Sequence, residues 1–281
     1  MDHDSVATKL LVGAALAIAF ALTFSAASSA QVTERSFTLG ATPLITVDNV
    51  SGPIDVVGDG GSAVRLTATE TNPDNATNVH LDITQSSDSV KLYVDGPFRC
   101  GSDHSTGRCD HWGDNWDDAS SRVRFAFELH VPAGSRLDLR TVNHGDVTVR
   151  NVGGAFTIRN VNGAIKLDGL GAAGSATTVN GSLSAAFRSN PGGNCDFGSV
   201  NGSVSLYFQP GLNADLTYKT LNGSVYSDFA VSPRAMPTSS SRDGNMIVFR
   251  RGRESAGRIG SGGAQLNLHT VNGSIYVHQQ K

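Results

Sequence analysis

The residues best equipped for chemistry lie in one short segment. Between Phe98 and Asp118 the chain carries Cys100, His104, Cys109 and His111, five Asp, and both of its Trp residues, Trp112 and Trp116. In the oxidising compartment that an export signal implies, two thiols nine positions apart are most simply a Cys100–Cys109 disulfide. Closing a loop of about ten residues would contribute roughly 2.5 to 3 kcal/mol. A zinc set of Cys100, His104, Cys109 and His111 is one alternative, but C-x3-H-x4-C-x-H matches no common zinc pattern. The five Asp lack the register of a calcium loop, so no metal is expected; a solvated loop is the remaining alternative. Trp112 and Trp116 suit carbohydrate or protein contact if exposed, and cap an apolar edge if they fold back.

A second segment, Pro233 to Gly263, is rich in arginine. It holds Arg234, Arg242, Arg250, Arg251, Arg253 and Arg258 against Asp243 and Glu254. Such an excess, sharpest at Arg250, Arg251 and Arg253, could engage anionic lipid or an envelope polymer. The run Thr238 to Ser241 reads instead as a solvated linker. Specific nucleic-acid binding is not expected, because the whole chain has 22 Lys+Arg against 25 Asp+Glu and a net charge of −3. Polysaccharide hydrolysis needs paired carboxylates on one face. The outward strand positions are Thr148, Lys166, Ser205, Thr217 and Lys219, and successive repeats place no acids at matched positions, so no catalytic residue and no cofactor are expected. Cys195 has no neighbour in sequence and reads as a buried thiol.

The elements that must position these groups are repeats. The tetrapeptides Val161-Asn162-Gly163-Ala164, Val179-Asn180-Gly181-Ser182, Val200-Asn201-Gly202-Ser203, Leu221-Asn222-Gly223-Ser224 and Val271-Asn272-Gly273-Ser274 recur, with weaker copies at Val142 to Gly145 and Asn49 to Gly52. From Gly145 onward the glycine spacings are 18, 18, 21, 21 and 50, and the last gap holds the Arg-rich segment. Between tetrapeptides, Ser203 to Phe208 and Ala214 to Thr220 alternate polar and apolar residues, so each repeat supplies two strands and two turns. Asn-Gly between strands also suits an antiparallel meander. A hairpin needs only the glycine, however, whereas strands stacked about 4.8 Å apart gain from identical side chains laddered at Asn, Val and Ser. The reading is therefore an all-β chain with a parallel β-helix-like solenoid of period 18 to 21.

The division expected is a signal peptide at 1–30, a strand-rich part at 31–130 with the Cys/Asp-rich insert at 98–118, and repeats at 131–281 with the Arg-rich insert at 233–263. Arg65 to Thr71, Val79 to Thr84, Val90 to Asp95 and Val123 to Val131 read as strands built onto the first coils. Leu10 to Phe24 is an uncharged apolar run, and Ser28 and Ala30 are small residues suited to cleavage. The 21 uncharged residues from Leu10 to Ala30 would also serve as an uncleaved anchor, which leaves a membrane-tethered envelope-stress sensor as an alternative. Either way the product is exported, to periplasm, cell surface or medium.

The run Val131-Pro132-Ala133-Gly134-Ser135-Arg136-Leu137-Asp138-Leu139-Arg140-Thr141-Val142, followed by the Val-Asn-Gly-Ser repeats, resembles the bacterial "putative adhesin" family over roughly Ile45 to Val277. That resemblance implies an exported β-solenoid envelope protein with no catalytic residues to transfer. The expected role is a non-catalytic surface-display or binding module, whose partner is an envelope polymer, a surface protein or an anionic membrane. A polysaccharide-active β-helix enzyme is the alternative from another class. Open strand edges at the solenoid ends make self-association a further expectation.

Overall fold

The computed structural model describes residues 30–71, 79–96, 123–234, 239–243, 246–250 and 255–281. Seven strands come first: β1 (Gln31–Thr38), β2 (Leu44–Asp48), β3 (Ile54–Asp59), β4 (Ala63–Thr71), β5 (His80–Gln85), β6 (Ser89–Asp95) and β7 (Arg124–Pro132). Eight short strands follow: β8 (Arg136–Thr141), β9 (Val147–Arg150), β10 (Phe156–Asn160), β11 (Ile165–Leu170), β12 (Gly174–Asn180), β13 (Leu183–Phe187), β14 (Cys195–Asn201) and β15 (Val204–Phe208). The remainder are β16 (Ala214–Asn222), β17 (Val225–Ser227), β18 (Val231–Arg234), β19 (Ser239–Asp243), β20 (Met246–Arg250), β21 (Ser255–Ile259), β22 (Ala264–Asn272) and β23 (Ile275–Gln279).

These strands form two large mixed sheets and a small hairpin of β19 and β20, with no closed barrel. From β8 to β15 successive strands go alternately to the two sheets. Each pairs in parallel with the strand two places on, so β8, β10, β12 and β14 build one sheet while β9, β11, β13 and β15 build the other. The early strands extend both sheets, because β2 pairs in parallel with β8 and β3 with β9. Antiparallel strands finish each sheet at its early end, β1 on β4 and β5 on β6.

The alternation read in the sequence becomes burial. In β15, Val204, Leu206 and Phe208 are buried while Ser205 and Tyr207 are half-exposed. One hydrophobic cluster runs from Phe37 to Val277 between the sheets. Its aromatic centre is Phe187, stacked on Phe208 at 5.0 Å and meeting Phe197 edge-on at 6.1 Å between ring centroids. Each such side chain contributes about 1.5 to 3 kcal/mol by leaving water.

The order of the rungs departs from the order of the repeats. The last repeat, β22 and β23, lies between the third and fourth: β22 pairs in parallel with both β14 and β16, and β23 with both β15 and β17. The cause is the Arg-rich segment, which is not the wholly solvated loop expected from its composition. Its β21 pairs antiparallel with β16, and β18 antiparallel with β21, so the chain is carried beyond the fourth repeat before returning to fill the space one rung back. The edges differ in what they offer another chain: β1 and β5 are edge strands of eight and six residues, while the edges at the repeat end are short. Edge strand β17 has three residues, and β18 has four, including Pro233 and Arg234.

Candidate functional site

The Asn-Gly turns lie along one edge of the molecule, where their side chains form two ladders. Asn162 donates its amide to Asn143 Oδ1 at 2.7 Å, Asn180 to Asn162 at 2.7 Å, Asn201 to Asn180 at 2.8 Å, Asn272 to Asn201 at 2.7 Å and Asn222 to Asn272 at 2.7 Å. All five bonds point the same way, so the amide dipoles add along the stack. The residue two places before each Asn turns inward and caps the preceding rung: Thr178 donates to the Gly163 carbonyl at 2.9 Å, Ser199 to Gly181 at 2.8 Å, Thr270 to Gly202 at 2.9 Å and Thr220 to Gly273 at 3.0 Å. Glycine is required next to the amide because a Cβ at Gly181 would collide with the Gly163 carbonyl oxygen. Between the two ladders the aliphatic residue of each tetrapeptide faces solvent, with Val179, Val200 and Val271 each near 37% exposed and Leu221 57% exposed.

The outer face of the β8–β14 sheet carries Asp138 and Asp196 in one row, with Thr157 and Ser175 between them. Three strand spacings separate the two acids, roughly 14 Å at ~4.8 Å per strand. His269 lies over the bare backbone of Gly198, its Nδ1 3.5 Å from Asp196 Oδ1. On the other sheet Asp55 of β3 stands directly beside Glu128 of β7, an acid pair outside the successive repeats that the sequence reading compared. Repeat alignment misses this pair because β7 is not a neighbouring repeat; it reaches β3 only through the parallel pairing of distant strands. At the far edge His80, Asp82 and Asp95 bring one ligand atom each within 4.8 Å of one another, all at least partly exposed.

The charged groups with displaced proton affinities are tied into the scaffold. The Arg258 guanidinium grips Asp215 at 2.7 and 3.1 Å while Arg234 approaches to 2.8 Å, and these contacts hold the Asp215 carboxyl below the usual range. Two arginines of the Arg-rich segment are thereby engaged. His278, 3.1 Å away, and the Gln279 backbone N–H hold Asp228 low. The Gly61 backbone N–H, helped by Arg65, does the same for Asp59. Burial pushes up the Glu70 carboxyl and the Cys195 thiol; Cys195 is free and buried.

A group of four rings stands on the outer face of the β9–β15 sheet. Tyr226 stacks on Tyr276 with centroids 5.1 Å apart, and Tyr207 stacks on His278 at 4.9 Å. Tyr276 and His278 are nearly parallel at 5.8 Å. Aligning repeats on Asn-Gly-Ser would have found them, because Tyr226 and Tyr276 share one position after the serine and Tyr207 and His278 share another. Of the residues singled out from sequence, Asn162, Gly163, Asn180, Gly181, Asn201, Gly202, Asn222, Gly223, Asn272 and Gly273 are brought together along the turn edge. Cys100, Cys109, Trp112, Trp116, Arg251 and Arg253 lie outside the described residues, as does the side chain of Arg250 at the end of β20.

An all-β chain of two large mixed sheets is the class that this geometry defines. It is similar over 89% of its length to the whole of a "putative cell adhesion protein" from Clostridium sporogenes, at 8% identity and a TM-score of 0.47. It is similar over the same share to 98% of a "putative adhesin" from Bacteroides fragilis, at 9% identity and a TM-score of 0.29. A "putative lipid binding protein" from Parabacteroides distasonis also resembles it, with 89% and 97% of the two chains covered, 9% identity and a TM-score of 0.23. No protein-family model matches the chain, and no curated protein matches it. Among the described residues, no helix is long and apolar enough to cross a membrane.

Proposed function

We propose that this chain is an exported, non-catalytic β-solenoid that presents its flat outer faces for binding at the cell envelope, in the manner of an adhesin. The observation that carries this reading is the amide ladder, five bonds of 2.7 to 2.8 Å between like turns of stacked rungs. A coil built this way holds its outward side chains in fixed rows, which suits recognition of an extended partner. The acids on the β8–β14 face support binding over turnover. Asp138 and Asp196, roughly 14 Å apart at three strand spacings, exceed the ~9.5 Å limit of an inverting glycosidase pair.

One observation favours the enzyme reading. Asp55 and Glu128 occupy adjacent strands, a spacing of about 4.8 Å that approaches that of a retaining pair. Incubating the purified protein with a polysaccharide panel and assaying new reducing or unsaturated ends separates the two. No release is expected, and release that Glu128→Gln abolishes would replace the binding module with a hydrolase. Export is tested by the mass of the protein recovered from culture, expected to begin at Gln31; an intact Met1 would favour the tethered sensor.

A further inference from the structure

Two of the ring faces in the four-ring group look along the sheet toward β13 and, among the described residues, are covered by no other ring. Tyr207 is stacked on His278 across the strand boundary on one side, so its opposite face looks toward β13, where its register partner is Ala186. Tyr276 is backed by Tyr226 in the same way, and its free face looks over Ser205 toward Ser184. Beyond these small residues the next strands carry long polar side chains, with Lys166 paired to Ser184 and Thr148, and Asp168 paired to Arg150. The result is an open cavity lined by Arg150, Asp168, Ser184, Ala186 and Tyr207, with Ser205 and Tyr276 on the strands beside it.

The widths are set by the rungs. From the strand of Asp168 to that of Tyr207 is two spacings, about 9.6 Å between backbones, leaving a notch one rung wide above Ala186. That space admits one flat saturated ring lying against Tyr207. The notch in front of Tyr276 is one rung wider and lies beside the first, so a second ring fits next to it. Lys166 is held by Asp146 at 3.1 Å. Arg150 and Asp168 are exposed, and among the described residues no hydrogen bond or ion pair engages their side chains. A free guanidinium, a free carboxylate and serine hydroxyls around an aromatic face offer donors and acceptors without net charge. Gln280 fixes one margin by donating to the backbone oxygens of Phe187 and Tyr207 at 2.9 and 3.0 Å.

We infer that this cavity is a binding site for a neutral pyranose oligosaccharide, one sugar stacked on Tyr207 above Ala186 and the next in front of Tyr276. The apolar face of each ring would cover tyrosine while its hydroxyls bond Arg150, Asp168 and Ser184. The inference rests on the display reading and names the class of ligand for it. Asp168 offsets the charge of Arg150 beside it, so the slot gives a uronic-acid chain no net attraction.

The test is calorimetric titration of the full chain with cello-, xylo- and chito-hexaose, and with an oligogalacturonide as the anionic arm. At least one neutral hexasaccharide is expected to bind. Tyr207→Ala should weaken it about ten-fold, the loss of one stacked ring. Ala186→Leu should weaken it at least as much by filling the notch, while Lys219→Ala, exposed on the other sheet, should leave it unchanged. The inference is overturned by no neutral sugar binding, by binding of the oligogalacturonide alone, or by affinity indifferent to Ala186→Leu. Thermal melts of each variant show that the fold persists. Retention of the wild-type protein on isolated cell envelopes is followed in parallel: retention unaffected by Ala186→Leu sinks the saccharide site alone, and no retention sinks the display reading.

Discussion

Each position of the Thr-Val-Asn-Gly turn has a separate physical task, and substitutions should separate them. Removing the amide of Asn201 breaks two bonds at once, the one it donates to Asn180 and the one it accepts from Asn272. Both are exposed, so Asn201→Ala should cost about 1 to 2 kcal/mol in urea unfolding, the sum of two ordinary net hydrogen bonds. Thr178→Val should cost about as much from a single bond, because it leaves the half-buried Gly163 carbonyl without its hydroxyl partner. Gly181→Ala is the severest of the three. Its methyl meets a backbone oxygen that can yield only by parting two rungs, at about 2 to 3 kcal/mol. Equal costs for all three would mean that the turn acts only as a polar loop.

Among the elements, the clasp of β16, β18 and β21 determines how the stack ends. Asp215 on β16 receives Arg258 from β21 and Arg234 from β18, so one carboxylate holds three strands. Its affinity for a proton is lowered in the folded state chiefly by the Arg258 bond, with Arg234 adding to it. A carboxyl whose folded pKa lies below its unfolded value stabilises the fold at pH above about 4, and that stabilisation disappears as pH falls through the folded value. Asp215→Asn should therefore lower the melting temperature at neutral pH and flatten the loss of stability on the acid side. Melts between pH 2 and 7 measure both effects. An unchanged acid limb would show that the arginines, not the carboxylate charge, secure the edge.

At the scale of the molecule, the notable fact is that the last repeat is an internal rung. Asn272 bonds Asn201, 71 residues away, and Asn222 bonds Asn272, 50 residues away. Without residues 264–281, β14 and β15 would each lose one of two parallel partners, β16 and β17 would lose their only one, and a gap one rung wide would cross both sheets. Buried Leu266, Leu268, Ile275 and Val277 leave with that rung. At about 1.5 to 3 kcal/mol for each, their loss rivals the whole stability of an ordinary domain. Truncation after Gly263 is expected to abolish the cooperative melt of the repeats, read by circular dichroism. A truncated chain that still melts cooperatively near the full-length temperature would show that the inserted rung is an accessory. Pairings over such separations also predict slow folding, because loops must close before β22 gains contacts on either side.

The alternation of apolar and polar residues, the turn chemistry of Asn-Gly and the repeat spacing determined an all-β chain with its Asn, Gly and Ser positions in register, since these are local constraints that act on each repeat by itself. The inward Thr of each turn was not read, because its partner is a carbonyl of the rung beneath. Asp55 beside Glu128, the ring faces over Ala186 and Ser205, and the slot taken by Val271 to Val277 likewise depend on which strand lies next to which. Identical repeats can stack in more than one order at nearly the same local energy. The order is settled only when the Arg-rich segment, clasped to Asp215, carries the chain past the fourth rung and leaves a single gap for the last strands to fill.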